Sequence, residues 1–298
     1  MLPSKPLEPL SRFVIINGDD FGISRGVNQA IIEAHQRGIL TSASLMVTGD
    51  AFEEAVTLAR IHPKLAVGLH LVLCCGKAVL PPYRIPHLVD AQGNFSVDPV
   101  KAGWRYQFNS AARRELGLEI RAQLEKFCRT GLPLSHVDGH LHLHVHPVVL
   151  RILSELAVEF TIKVIRLPYE ELGFTLSFDR RRWLTKIIWA LIFSRLRSYG
   201  KGLLKVKGIE VAERVYGLLQ TGNITEGYFL RLIPQIRANL VEIYAHPAIQ
   251  VAGEPSHGPV ESGKRELDAL LSQQVQDVLN SCGFQLTNYN QLRAAGLS

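Results

Sequence analysis

The stretch that decides the fold is FVIINGDDFGISRGVNQAIIEAHQRGILTSASLMV, residues 13–47. A short run of β-branched and apolar residues (13–17) reads as a buried strand. A helical pattern over 24–36 follows, ending near Gly38, where glycine suits a left-handed C-cap. A second β-rich run at 41–47 completes a β-α-β unit. Working outward, the alternation continues, with strands expected at 65–71, 133–138, 163–167, 240–245 and 284–287. Helices are expected at 51–61, 112–129, 148–159, 209–219, 226–238 and 264–281. Seven or eight such units in one chain predict an α/β fold of the TIM-like (β/α) barrel type, with some irregularity.

The whole chain, 1–298, reads as one domain, with residues 1–11 a loose proline-rich leader and 168–207 a basic, aromatic insertion. A second insertion spans 74–110. The 298 residues are 47% hydrophobic and 20% charged, an ordinary globular balance. Cysteines 74, 75, 128 and 282 show no paired spacing, and the leader lacks a signal-peptide apolar core, so a cytoplasmic location is expected. No dinucleotide or phosphate-loop glycine motif follows a strand. The net charge of +6 is local. Nine basic residues and no acidic one lie in 180–207, and elsewhere 24 Lys and Arg face 27 Asp and Glu.

Chemistry collects where predicted strands end, which in a barrel is the active-site face. Asp19 and Asp20 follow the first strand and are flanked by Gly18 and Gly22, which let the chain turn. One carboxylate could hold a metal while its neighbour takes a proton from water; helix capping is the plainer reading. His70 closes the strand VGLHL and, alone, reads more readily as a buried core histidine. The run HVDGHLHLHVHP (136–147) weighs against that. Strict alternation would put Asp138 and five histidines, among them His136, His140, His142 and His144, on one face. Same-face neighbours on a strand sit about 7 Å apart, so the run supplies one or two ligands and the rest orient them or line a substrate pocket.

Together, DDFG with its helix, GLHL, HVDGHLHLHVHP and the late EIYAHPA resemble the YdjC-like carbohydrate deacetylases, over about residues 12–293. The resemblance implies one divalent metal ion on Asp20, His70 and His140, with Asp19 as general base. Such carboxylate and imidazole ligands accept zinc, manganese, iron, cobalt or magnesium, with zinc or magnesium expected. His246, in YAHPA, becomes the acid for the leaving amine, and Arg166 resembles an arginine that holds the base in related polysaccharide deacetylases. LHLVLCCGKAVLPP, IPHLVDAQGNF and TGLPLSHV are similar to the subgroup associated with hopanoid biosynthesis, although position 138 carries Asp where Asn is common there.

The resemblance thus implies hydrolysis of an N-acetyl group from an amino sugar, on a lipid-linked, hopanoid-type glycoside. A soluble chitooligosaccharide or other N-acetylated glycan is the alternative substrate, and a non-catalytic metal-binding protein at the membrane is the alternative from another class. Residues 183–204 place apolar side chains at helical spacing beside Trp183, Trp189 and Phe193, with basic ends. That pattern predicts an interfacial helix on the cytoplasmic membrane surface through 180–207, because apolar burial and attraction to anionic lipid act together. A helix packed on the barrel is the plainer alternative. The patch is too apolar for nucleic acid, and nothing in the sequence sets an oligomeric state.

Overall fold

The structure is a computed structural model that describes residues 12–254 and 260–294; the leader expected at 1–11 lies outside the described residues. Seven parallel strands form one sheet: β1 (Arg12–Phe21), β2 (Ser42–Leu45), β3 (Ala66–Leu71), β4 (Val137–Gly139), β5 (Arg214–Tyr216), β6 (Leu240–Ala245) and β7 (Phe284–Leu286). The order is β4-β3-β2-β1-β6-β5, with β7 pairing the start of β1. Central strands are apolar on both faces, as a sheet covered by helices requires.

The helices are α1 (Arg25–Arg37), α2 (Phe52–Ile61), α3 (Pro99–Phe108), α4 (Ser110–Cys128), α5 (Pro147–Leu156), α6 (Leu172–Phe178), α7 (Trp183–Val206), α8 (Glu226–Leu232), α9 (Val260–Leu271), α10 (Gln273–Ser281) and α11 (Tyr289–Ala294). The Ser24 hydroxyl caps α1 by accepting from the Val27 amide, and the opening β-α-β unit forms as its sequence predicts, except that Gly38 ends the helix at φ −123 and not in a left-handed cap.

The expected α/β order with parallel strands holds, but the irregular TIM-like barrel is only partly formed: the sheet is an open, half-barrel arrangement. Between its edges β4 and β5 the chain makes only isolated bridges, Val137 with Ile165, Val164 with Glu210 and Tyr169 with Val215. The strand expected at 163–167 is therefore a crossing segment. The helix expected at 209–219 is a second correction, since that region holds β5, whose register on β6 pairs Val215 with Glu242. The pattern 264–281 is two helices broken at Ser272, whose hydroxyl caps α10.

Helix α7 forms over the expected apolar stretch. The basic patch beside it is smaller than nine charges. Lys186 is buried on the Asp179 carboxylate at 2.9 Å, and the Arg197 guanidinium donates to the carbonyls of Leu167, Ala212 and Glu213. Arg180, Arg181 and Arg182 are exposed, as are Trp183, Leu184, Ile188 and Leu191. Among the described residues no helix is long and apolar enough to cross a membrane.

Candidate active site

The strand ends build the site. Along an ideal strand Asp19 and Asp20 would point to opposite faces, but Asp20 adopts a left-handed backbone (φ 63) and the β1–β2 register shifts between Gly18 and Phe21. Gly22 (φ +92) completes the turn, and a Cβ there would meet the Met46 carbonyl at 3.1 Å. The turn is tied down by Asn28, whose side-chain oxygen accepts from the Gly22 amide. Both carboxylates therefore line one cavity of about 360 Å³, which His140, Leu141, Cys75, Thr221 and His246 also line.

Asp20 Oδ1 lies 2.9 Å from His140 Nδ1 and 3.2 Å from His70 Nε2, and donor atoms of the three residues lie within 4.8 Å of one another. Ligand bonds of about 2.0–2.2 Å to a shared ion fit such a cluster. Its donor chemistry, one carboxylate and two imidazoles, suits a divalent cation with positions left open. The electrostatics point the same way. Burial pushes the Asp20 carboxyl up, but His140 and His70 overcome this and hold it well below its ordinary range. Burial likewise pulls His70 down, yet the Asp138 carboxylate beside it raises the imidazole to about 10, so the position favours positive charge.

Asp138 is fully buried and does not line the cavity. Its Oδ1 accepts from His70 Nδ1 at 2.8 Å, leaving Nε2 toward Asp20. A carboxylate behind an imidazole in this way fixes the tautomer and ring direction of a ligand. Arg166 is also fully buried and gathers three acids. It reaches Asp19 through both terminal nitrogens at 2.7 and 2.8 Å, Asp138 at 2.8 Å and Glu242 at 2.6 Å. Arg166 is thus a buried arginine that holds Asp19 by two nitrogens. Burial disfavours its charge, and the surrounding carboxylates more than restore it.

The histidine run does not continue as a strand, which corrects the alternating-face expectation. It leaves β4 at Gly139 and turns as a 3-10 segment, His140–Val145, with left-handed Leu141 and His142. Its members consequently scatter. His140 faces the cavity; His136 is buried between the Ser44 and Ser135 hydroxyls; His142 meets the Tyr244 hydroxyl at 2.8 Å; His144 meets the Arg166 carbonyl at 2.9 Å. His136, His142 and His144 are absent from the cavity wall. Burial pulls His136 and His144 down to about 4, so they are neutral supports.

His246 follows β6 and lines the cavity; among the described residues its buried Nδ1 has no hydrogen-bond partner and lies 3.9 Å from the Glu266 carboxylate, which accepts from the His246 amide. Sequence reasoning passed over Glu266, Glu242, Ser44 and Tyr289, whose hydroxyl donates to Glu242. Glu242 had a signal, an acid inside the buried strand LVEIYA. Glu266 had none, because an acid on the amphipathic helix α9 looks like a solvated face.

Residues 13–281 match the family described as YdjC-like protein. The chain belongs to that family. It is 46% identical over 156 residues to a carbohydrate deacetylase of Brevibacillus brevis, 52% of this chain and 59% of that protein. It is 30% identical over 287 residues to a carbohydrate deacetylase of Vibrio cholerae serotype O1, 95% of this chain and 98% of that protein. For the relatives in B. brevis and Geobacillus stearothermophilus the chain thus spans about three fifths of their length, 59% and 60%. The crystal structure of an Enterococcus faecalis V583 protein, described as a candidate cellobiose-phosphate cleavage protein, superposes with a TM-score of 0.76 at 26% identity. That superposition covers 95% of this chain and 99% of the other.

Proposed function

We propose that this YdjC-like protein hydrolyses the acetyl amide of an N-acetylated amino sugar with the help of one divalent metal ion, on a lipid-linked, hopanoid-type glycoside at the cytoplasmic membrane surface. The observation that carries the reaction is the meeting of the Asp20, His70 and His140 donor atoms with Asp19 at the wall of one cavity. The names of the relatives, carbohydrate deacetylases, support the substrate class.

Asp20, His70 and His140 would hold the ion, with zinc or magnesium suiting the donors. A divalent ion supplies Lewis acidity that polarises the amide carbonyl and lowers the pKa of water. The protein's own residues do the rest. Asp19, immobilised by the Arg166 fork and by the Asn17 amide at 2.8 Å, takes a proton from the attacking water. His246, on the wall of the same cavity, gives a proton to the departing nitrogen, so water and amide become acetate and amine. Asp138 and Arg166 position His70 and Asp19 without meeting the substrate.

The lipid and the membrane rest on the resemblance to the hopanoid-associated subgroup and on the exposed Trp183, Leu184, Ile188 and Leu191 beside Arg180, Arg181 and Arg182. The test is acetate release from acetylated amino sugars, free and lipid-linked, by protein loaded in turn with zinc and magnesium. Metal-dependent acetate release is expected, faster on the lipid-linked sugar. Preference for a free chitooligosaccharide would promote the soluble-substrate reading, and metal binding without acetate from any sugar would leave a non-catalytic protein.

A further inference from the structure

Beside the catalytic cavity lies a second concavity that the reaction leaves unused. It is a groove of about 430 Å³ between α3 and α7, floored by the turn of the histidine run. Val100, Trp104 and Phe108 form one wall, Trp189 and Ile192 the other. Its volume falls within the range of small-molecule sites. The walls are apolar and open to solvent: Trp104 is 63% exposed, Phe108 70% and Ile192 43%. The Trp104 and Phe108 rings stack with centroids 5.2 Å apart, which holds a flat apolar surface upright. An exposed apolar concavity of this kind marks a binding surface.

The groove is joined to the chemistry by one residue. Leu141 lines both concavities, stands next to His140 in sequence and is 47% exposed. Its left-handed backbone (φ 52) belongs to the tight turn that ends β4 and leaves the side chain on the ridge between them. A molecule whose sugar occupies the catalytic cavity can therefore cross Leu141 and lay an attached apolar group in the groove. Few side chains of the lining, His142, His146 and Gln107 among them, offer polar atoms, so a second sugar has little to bond there.

We infer that the groove between α3 and α7 is the subsite for the hydrocarbon aglycone of the acetylated sugar; this rests on the proposed deacetylase reading. It differs from the outer face of α7, whose Leu184, Ile188 and Leu191 lie outside the groove lining. The substrate's own hydrocarbon, rather than a bilayer, fills it.

The test uses the metal-loaded full chain and two β-glycosides of N-acetylglucosamine, methyl and dodecyl, both below micelle-forming concentration. The value of kcat/KM is expected to rise with alkyl length by up to about fourfold per methylene buried. Ile192→Glu on α7 and, separately, Trp104→Ala on α3 are expected to cut the dodecyl-to-methyl ratio about tenfold or more. Binding is read independently of turnover with dodecyl glucoside, which has no amide to cleave. The emission of Trp104 and Trp189, which line the groove, should shift to the blue saturably, and Ile192→Glu should weaken the apparent Kd.

If neither glycoside yields acetate but dodecyl glucoside still binds with that variant sensitivity, the groove stands and the proposed reaction falls. If both yield acetate at rates independent of chain length, the reaction stands and the groove assignment is overturned. It is overturned equally if both variants, folded by circular dichroism, keep the wild-type ratio. Two further results would overturn it. One is a blue shift produced by vesicles and not competed by dodecyl glucoside, which would make the groove a bilayer contact. The other is concentration-dependent dimerisation abolished by Ile192→Glu, which would make it an interface between copies.

Discussion

Replacing Arg166 with glutamine tests the electrostatic centre of the site. The guanidinium is fully buried and touches Asp19, Asp138 and Glu242, so its loss leaves three carboxylates facing one another without a cation. Removing one partner of a buried ion pair costs about 3–5 kcal/mol, and each kcal/mol moves the melting temperature of a large domain by about 2–4 °C. The expected fall in Tm of the chelated protein is therefore roughly 6–20 °C. Its pH dependence carries the sign. Burial pushes Asp138 up, and in the wild type Arg166 is the largest influence holding it down; the same cation opposes the upward push of burial on Glu242. Without it both folded-state values rise. A group whose folded value is raised gives stability below its unfolded value, near 4, that is lost as pH climbs through the raised value. The gap in Tm between wild type and variant should thus be wider at about pH 8 than at about pH 5. Scanning calorimetry at both values decides it. A gap that is equal at the two, or wider in acid, would show that charge balance is not what Arg166 supplies. Arg166→Lys keeps the charge but not the fork, so it should recover much of the Tm while leaving activity low.

The remaining predictions concern the parts around that centre. Asp19→Asn should keep metal affinity, measured by isothermal calorimetry, while turnover falls about 100- to 10,000-fold; loss of metal as well would make Asp19 a ligand. Asp138→Asn should weaken metal affinity about 10- to 100-fold although residue 138 is not one of the three proposed ligands, because His70 loses the carboxylate that orients it. Unchanged affinity would remove Asp138 from the site. Replacing Arg180, Arg181 and Arg182 with glutamine should weaken binding to anionic vesicles by about 1 kcal/mol for each charge near the surface. Lys186→Gln should instead lower Tm, since Lys186 is spent on Asp179; wild type that ignores such vesicles at low salt would end the membrane reading.

How far the sequence foretold this site depends on which physical signal each part used. The parallel α/β order was legible because β1, β3 and β6 are apolar runs buried on both faces, and such runs announce themselves by composition alone. β5 was not, since three residues between turns carry too short a pattern to tell from a helix. Barrel closure was beyond reach for a related reason: residues 163–169 have strand-like side chains, yet they cross the gap on isolated bridges, and whether a crossing segment pairs is set by its neighbours. The acids of α9 and the hydroxyl of Ser44 gained their importance from partners far away in sequence.

The histidine run is the sharpest case. Alternation is a property of extended backbone, and it was applied to a segment that leaves the extended region after Gly139. Positive φ at Leu141 has no side-chain signal of its own, because leucine does not favour it; the surrounding packing must impose it. One turn of backbone thereby sends His140 to Asp20, His142 to Tyr244 and His144 to the Arg166 carbonyl, three directions where the periodic reading allowed one. The same turn raises Leu141 between the catalytic cavity and the apolar groove. If the strain at 141 is what holds it there, Leu141→Gly relieves the backbone while removing the ridge. It should therefore cost little Tm yet lower the dodecyl-to-methyl preference. A large loss of Tm with the preference intact would mean that Leu141 is a core side chain and that the two concavities communicate by another path.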